Sequence, residues 1–213
     1  MGREPDLAQE RSLWAQGFMR IAGLDEAGRG AWAGPVVAAA VVLPPLIPGV
    51  EQALAAVRDS KLLTPRRREL CYDLVMEHAL AVGVGSVSAG EIDRLGIVPA
   101  TRRAMLQAIT SLPASPQYLL IDALRLPEST LPQRAIIRGD RYLLSIAAAS
   151  VIAKVTRDRL MVSLDAQWPG YGLSRHKGYG TPQHLAALYT LGACPEHRQS
   201  FAPLRRLVEA QHV

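Results

Sequence analysis

Residues 20–43 read RIAGLDEAGRGAWAGPVVAAAVVL and contain the two clearest strand signals of the chain. Arg20 to Asp25 contains a short apolar run that ends in an acid, and Val36 to Leu43 is an uninterrupted run of apolar residues. Short apolar runs of this kind predict buried strands. Because the glycine-broken connection between them is short, the two strands are expected to form an antiparallel pair.

Helix and strand signals alternate along the rest of the chain. Caps, prolines at first helical positions and 3.6-residue periodicity predict helices. These run from Thr64-Pro65 to Gly83, from Ser88 to Gly96, from Pro99 to about Leu112, from Leu144 to about Gln167, and from Thr181-Pro182 to near Gly192. Two further short apolar runs predict strands, Tyr118 to Ile121 and Arg134 to Arg138. Interleaved strands and helices predict an α/β or α+β domain with a mixed sheet.

The composition fits one globular domain. The chain has 213 residues, of which 49% are hydrophobic and 20% are charged. This balance excludes a disordered tail and a collagen-like repeat. Residues 1–19 are expected to form a short amphipathic or frayed lead-in to a main domain of residues 20–213. A C-terminal lobe is expected from about Trp168, beginning with a long glycine-rich loop to Gly180.

The charge and the cysteine content narrow the class of protein. The net charge is +5 and the pI about 9.6, which fits a nucleic-acid partner but is shared by many other soluble proteins. Cys71 and Cys194 are too few for a disulfide framework and lack zinc-ligand spacing, so a reduced, cytoplasmic setting is expected. The charge-free stretch from Ala31 to Val50 is broken by glycines and prolines, so no membrane span is expected.

Acidic residues follow several of the predicted strands. Asp25 and Glu26 end the first strand and precede glycines, an arrangement that can hold Mg²⁺ beside a phosphate. Asp122 and Asp140 also close short apolar runs. Carboxylates about 4 Å apart would repel by about 4 kcal/mol per pair at an effective dielectric of 20, so such a cluster implies bound cations. Two alternatives stay open: an exposed acidic turn at Asp25-Glu26, and a helix N-cap at Asp140.

Two further segments could contact a nucleic acid. Tyr179 lies between glycines in a loop that also holds His176 and Lys177, so its ring could stack on a sugar or a base, or it could fold back onto its own lobe. Lys61, in Asp59-Ser60-Lys61, could hold a phosphate or be an ordinary solvated charge. The glycines after Asp25 lack a following Gly-Lys-Ser/Thr, which argues against a nucleotide-binding P-loop.

Several blocks of sequence, taken in order, resemble the bacterial type 2 ribonuclease H family, ribonuclease HII. The blocks are Ile21 to Gly30, Ala33 to Ala40, Asp59-Ser60-Lys61, Ile146 to Ser150, His176 to Thr181 and His197 to Phe201. The resemblance implies an RNase H-like fold, with a five-stranded mixed sheet flanked by helices and a helical C-terminal part. It also implies an endonuclease that hydrolyses the RNA strand of RNA–DNA hybrids and cuts 5′ of ribonucleotides embedded in duplex DNA.

The resemblance also assigns roles to residues. Asp25, Glu26, Asp122 and Asp140 match the catalytic, metal-binding carboxylates, with two Mg²⁺ or Mn²⁺ ions expected. Gly28, Arg29 and Gly30 match the loop that reads the ribose 2′-hydroxyl, Tyr179 matches the ring that packs on the neighbouring deoxyribose, and Lys61 is expected to bind substrate. A monomer is expected.

Some positions depart from the family pattern, namely Ala31-Trp32, Val98-Pro99 and Ala123. Because Trp32 lies beside the substrate loop, its departure concerns junction preference more than catalysis. A catalytically silent, basic nucleic-acid-binding module is the alternative function, and a Mg²⁺-dependent phosphotransferase is a third that the missing nucleotide motif weakens. A silent module would not need acids at strand ends.

Overall fold

The computed structural model describes residues 4–210, and the side chains of residues 4–206. Residues 1–3 of the expected lead-in and residues 211–213 of the expected main domain lie outside the described part. The strands are β1 (Ile21–Ala27), β2 (Val36–Val42), β3 (Ala81–Val87), β4 (Tyr118–Asp122) and β5 (Gln133–Ile136). The helices are α1 (Ala8–Ala15), α2 (Val50–Ala53), α3 (Pro65–His78), α4 (Ala89–Leu95), α5 (Ile97–Thr110), α6 (Leu144–Gln167), α7 (Leu173–His176), α8 (Pro182–Leu191) and α9 (Ala202–Ala210).

The five strands form one mixed sheet in the order β3-β2-β1-β4-β5. β2 pairs antiparallel with both β1 and β3, whereas β1 pairs parallel with β4, and β4 with β5. Short connections join the antiparallel strands β1 and β2, and helices join β3 to the parallel part, as parallel pairing requires. The expected antiparallel pairing of the first two strands is confirmed.

Side chains alternate between the two faces of the sheet, and a helix covers each face. On one face, Ile21, Ala39 and Leu120 pack in a cluster with the small residues of α6. On the other face, Leu24 and Ile121 belong to a cluster with α5. This alternation follows from the two-residue period of a strand, and it explains why the central strands are apolar along their whole length.

Helix α6 lies unusually close to β1. A Cβ added to Gly23 would lie 2.3 Å from the carbonyl carbon of Ser145, so only glycine permits this contact. Residues 146–150, Ile-Ala-Ala-Ala-Ser, are all buried. The predicted small-residue helix therefore packs tightly on the sheet, and its predicted bounds of Leu144 and about Gln167 are confirmed.

The predicted helix from Thr64-Pro65 to Gly83 is confirmed as far as His78 and is wrong only in its last residues. Thr64 caps the helix as predicted, by accepting a hydrogen bond from the Arg67 N–H, but the helix ends at His78, and Ala81–Val87 forms the edge strand β3. The glycines of β3 lie under α5: a Cβ at Gly83 or at Gly85 would come within 2.1 Å of a helix carbonyl oxygen. These glycines allow close helix packing, and they also hide the strand pattern from sequence analysis.

The described parts of the lead-in and of the C-terminal region contain more helix than expected. The lead-in forms α1, whose buried Glu10 accepts hydrogen bonds from the Ser145 N–H at 3.1 Å and the Ser145 hydroxyl at 2.6 Å. The expected loop from Trp168 to Gly180 contains the short helix α7, and α9 was not predicted. A separate apolar cluster joins Tyr171, Leu188 and Cys194 of the C-terminal region, called the C-terminal lobe below, to Ala33 and Met161. A lobe that begins at about Trp168 stays a prediction. No helix within residues 4–210 is long and apolar enough to cross a membrane.

Candidate active site

The parallel strands at the centre of the sheet bring three acids together at the carboxyl ends of these strands, called the acidic edge below. Leu24 of β1 pairs with Ile121 of β4, so Asp25 and Asp122, the next residues, lie side by side. Asp122 ends β4, whereas β1 continues past the predicted end at Asp25-Glu26 to Ala27. Asp122 Oδ1 accepts a hydrogen bond of 2.7 Å from the Gly139 N–H. This bond fixes the 3₁₀ turn that carries Asp140. The structure therefore places Asp25, Asp122 and Asp140 at the carboxyl end of the sheet, as the strand ends predicted.

The carboxylates share an electrostatically unfavourable position. Burial, and then the charges of Glu26 and Asp122, raise the pKa of Asp25 well above its usual value. Burial, followed by the charges of Asp59 and Asp122, raises the pKa of Asp140 to about 6. Burial is also the main cause of the raised pKa of Glu26 and of Asp122. A cluster of this kind favours a bound cation, because a cation lets the groups ionise together.

Two basic side chains partly neutralise the cluster. Arg29 Nη1 lies 3.2 Å from Glu26 Oε1. Burial alone would lower the pKa of Lys61, but the nearby charges of Asp25, Asp59, Asp140 and Asp122 raise it overall. Lys61 is therefore close enough to four acids to interact with them electrostatically. The alternative of an ordinary solvated charge is less consistent with this position.

The donor set fits a hard divalent cation. Carboxylate oxygens are the ligands that Mg²⁺ and Mn²⁺ prefer, and the buried Glu26 Oε2 has no hydrogen-bond partner. Within the described side chains, no group of three acidic, histidine or cysteine residues is arranged so that it could hold a metal ion as it stands. The four acids therefore lie near one another, but their side chains are not oriented for metal binding. They would have to rotate to coordinate an ion. Their metal role stays a prediction.

The remaining predicted site residues line one cavity beside the acids. A cavity of about 490 Å³ is bounded by Glu26, residues 28–30, Ser60, Lys61, Lys154 and Tyr179. The Tyr179 side chain is 38% exposed, and its ring centroid lies 5.5 Å from Cζ of Arg157 and 5.8 Å from Nζ of Lys154. The structure thus brings Gly28, Arg29, Gly30, Lys61 and Tyr179 together. Lys154 joins them and bonds to Asp158 at 2.7 Å.

Two fully buried arginines donate hydrogen bonds to the backbone of the loops around this cavity. The Arg157 guanidinium donates to the carbonyls of Ala33, Pro35 and Lys177 at 2.9–3.1 Å. Arg198 donates to the carbonyls of Arg29 and Gly34 at 2.9–3.0 Å. Because the carbonyls belong to segments far apart in sequence, the two arginines join the glycine loop to the C-terminal lobe and to the Tyr179 turn.

Gly28 is required by this packing. Its φ is +93°, a conformation that L side chains rarely adopt, and an added Cβ would lie 1.9 Å from Nε of Arg157. Gly30 differs, because nothing lies within 4 Å of its added Cβ. Its backbone therefore faces open space, where a ligand can approach.

Two of the positions that depart from the family pattern, Trp32 and Ala123, lie near the site. Trp32 packs 5.5 Å from the ring of His184, and a Cβ at Gly180 would lie 2.1 Å from the Trp32 ring. Trp32 therefore supports the Tyr179 turn without lining the cavity. Ala123 has φ +54°, a region that favours glycine, which is the residue that the resemblance leads one to expect there.

Sequence reasoning missed the buried partners of the site. Asp59 is 3% exposed and raises the pKa of Asp140. Ser150 opposes the rise in the pKa of Asp25, and its Oγ lies 2.9 Å from the Oγ of Ser60. Asp59 belongs to the segment Asp59-Ser60-Lys61, for which the sequence suggested phosphate binding through Lys61 and no role for Asp59. Arg157 is followed on α6 by other charged residues, and its sequence position does not distinguish it from them. No local pattern distinguishes these residues from surface ones.

Comparison of the structure with solved structures identifies the class of protein. The crystal structure of ribonuclease H2 from Pyrococcus horikoshii superposes with a TM-score of 0.76 at 27% identity, over 91% of this chain and 99% of that one. A ribonuclease HIII solved in complex with Mn²⁺ matches with a TM-score of 0.68 at 20% identity, over 91% of this chain and 70% of that one, which supports the fold. The protein has the RNase H-like fold.

Sequence comparison identifies the family within that class. The family model described as Ribonuclease HII matches residues 22–204. Ribonuclease HII from Dehalococcoides mccartyi is 53% identical over 205 residues, which cover 96% of both chains. The chain belongs to the ribonuclease HII family and is a hydrolytic endonuclease that acts on RNA–DNA hybrids. A catalytically silent binding module is therefore the wrong alternative.

Proposed function

We propose that this protein cuts duplex DNA on the 5′ side of an embedded ribonucleotide, in addition to cutting the RNA strand of hybrids, and thereby serves ribonucleotide removal. The products are a 3′-hydroxyl and a 5′-phosphate. One observation carries the proposal: Glu26 of the acidic edge lines the same cavity as the loop of residues 28–30 and Tyr179. A proposed hydrolytic group and groups that can recognise a sugar therefore line the same cavity, where one substrate could contact both.

Asp25, Glu26, Asp122 and Asp140 are the proposed ligands of two divalent ions, Mg²⁺ or Mn²⁺. When bound, such ions activate water and stabilise the leaving oxygen. The four side chains supply negative charge at the sheet edge, and Asp122 also fixes the Asp140 turn through Gly139. Lys61 lies among these charges and lines the cavity, where its ammonium group can contact a phosphate oxygen.

Recognition of the ribose is assigned to the other wall of the cavity. The open backbone near Gly30 lets main-chain groups approach the 2′-hydroxyl, and the Tyr179 ring can pack on the next deoxyribose. A deoxynucleotide would leave the recognising groups unpaired, at about 1–3 kcal/mol each. The 2′-hydroxyl is then a recognition mark and not the nucleophile, so no cyclic phosphate forms.

We also propose that residues 20–213 act as one catalytic unit on nucleic acid, and that the chain works as a monomer. The cytoplasmic setting inferred from the two cysteines stays a prediction.

The test uses duplex DNA with one ribonucleotide, and all-DNA duplex of the same sequence as the control. With Mg²⁺ or Mn²⁺, we expect one cut on the 5′ side of the ribonucleotide, no cutting of all-DNA duplex, and no cutting in EDTA. Mass spectrometry should show a 5′-phosphate on the ribonucleotide-bearing fragment. A 2′,3′-cyclic phosphate, or equal cutting of both duplexes, would refute the proposal.

A further inference from the structure

A pair of buried histidines lies behind the turn that carries Tyr179. His184, in the first turn of α8, is 0% exposed, and His197, in the loop before α9, is 1% exposed. Their Nε2 atoms lie 3.0 Å apart. Neither residue lines the cavity or takes part in the proposed hydrolysis. Two ring nitrogens at this distance share one proton, so one ring must donate and the other must accept.

The partners at the two ends decide which ring donates. His184 Nδ1 lies 3.0 Å from the carbonyl of Tyr179, which can only accept, so Nδ1 carries the proton. The N–H of Cys194 donates to His197 Nδ1 at 3.0 Å, so this nitrogen is unprotonated. The Cys194 Sγ and the Cys194 carbonyl oxygen lie 3.1 and 3.2 Å from the same nitrogen, but a proton on Nδ1 would oppose the Cys194 N–H, whereas the thiol can donate to a bare nitrogen. His197 therefore donates from Nε2 to His184.

Both rings are neutral in this arrangement. Burial lowers the pKa of His184 to about 4 and lowers that of His197 as well. His176 stacks on His184 with ring centroids 4.4 Å apart and opposes a positive charge there. Protonation would place two N–H groups opposite each other or displace the Cys194 N–H.

We infer that His184 and His197 form a neutral pair, each locked in one tautomer, that positions Tyr179 for recognition of the sugar. A directed chain of hydrogen bonds runs from the Cys194 N–H through His197 and His184 to the Tyr179 carbonyl. The pair thus ties the core of the C-terminal lobe to the backbone of the residue proposed to meet the substrate. The inference rests on the proposed function of Tyr179. Both histidines are positioning residues.

The tautomers can be measured in the unmodified protein. In ¹⁵N-histidine-labelled protein at neutral pH, long-range ¹H–¹⁵N spectra should show His184 protonated at Nδ1 and His197 protonated at Nε2. Variants of each histidine assign the signals. The same tautomer in both rings, or a charged ring, would overturn the inference.

Two amide substitutions at His184 separate its hydrogen bonds. Asparagine places its amide nitrogen near the position of Nδ1, so His184→Asn can still donate to the Tyr179 carbonyl. Glutamine places its amide near the position of Nε2, so His184→Gln keeps contact with His197 and loses Tyr179. We expect kcat/KM on the single-ribonucleotide duplex to fall about tenfold for His184→Gln and less than about threefold for His184→Asn. His78→Gln, at the end of α3, is the matched control and should change nothing.

A double-mutant cycle with Tyr179→Ala shows whether His184 acts through Tyr179. We expect His184→Gln to have no further effect on kcat/KM in the Tyr179→Ala background. Equal effects in both backgrounds would overturn the positioning role, as would loss of cooperative unfolding in both His184 variants. If Tyr179→Ala alone keeps the wild-type rate, the proposed function of Tyr179 fails first. If Tyr179→Ala lowers kcat/KM and His184→Gln does not, the positioning inference is overturned and the proposed function of Tyr179 stands.

Discussion

Replacing Asp25 by asparagine should stabilise the metal-free protein while it abolishes cleavage. Asp25 is 4% exposed and is opposed by the charges of Glu26 and Asp122. At about 4.8 Å, the spacing of adjacent strands, two carboxylates repel by about 3.5 kcal/mol at an effective dielectric of 20. Lys61 offsets part of this repulsion, so we expect a gain of about 1–3 kcal/mol, or about 2–12 °C in Tm for a domain of this size.

The gain should depend on pH in a defined direction. The folded pKa of Asp25 lies above its ordinary value of 3.8. The folded state therefore binds the proton more tightly, and the wild type loses stability as the pH rises from the ordinary value through the folded pKa. Asp25→Asn lacks this loss. The difference in Tm between variant and wild type should be small near about pH 4 and largest at neutral pH and above.

Calorimetry in EDTA measures this difference directly. Asp73→Asn, an exposed change on α3, is the matched control and should leave Tm unchanged. Added Mg²⁺ should raise the Tm of the wild type and have little effect on Asp25→Asn, because the variant lacks one proposed ligand charge. A Tm below that of the wild type for Asp25→Asn in EDTA at neutral pH would refute the argument from repulsion.

The other predictions concern activity, packing and salt. Glu26→Gln and Asp122→Asn should lower kcat by orders of magnitude with the fold retained by circular dichroism, and near-normal Mg²⁺-dependent rates would contradict the ligand assignment. Gly28→Ala should lower stability by about 1–3 kcal/mol in denaturant titrations, because its Cβ meets Arg157, whereas Gly30→Ala should not. Binding of the duplex, followed by fluorescence anisotropy, should weaken log-linearly with salt, with a slope of about −0.9 per phosphate contacted. Affinity that does not change with salt would argue against phosphate contacts.

The parts of the fold that the sequence predicts well are those with strong local signals. The pair β1 and β2 follows from two apolar runs, and α4 follows from the capping box of Ser88 and Glu91, which the structure contains. Strand β3 was missed because its glycines lack the β-branched pattern, and the reason for those glycines is the contact with α5. A contact between distant segments cannot be deduced from the segment itself.

The same distinction applies to the site. Asp25, Asp122 and Asp140 are predictable because each closes a short apolar run, and adjacent parallel strands end at one edge. Arg157 is not, because its carbonyl partners in residues 33–35 lie more than 120 positions away in sequence. The tautomers of the His184–His197 pair likewise depend on the backbone of Tyr179 and of Cys194. The groups proposed to contact substrate leave a sequence signal, and the groups that hold them in place do not.

Helix α6 connects the two halves of the site in one rigid element. Its early part packs on β1 at Gly23, and Ser150, further along the helix, is close enough to Asp25 to oppose the rise in the pKa of that carboxyl. Two turns later, Arg157 donates to the carbonyls of Ala33 and Lys177, in the loops proposed to recognise the sugar. Seven residues of helix span about 10.5 Å. Because a packed helix sets this separation, the bond that is cut should lie at a fixed distance from the ribose that is read. Loops alone would let that distance vary.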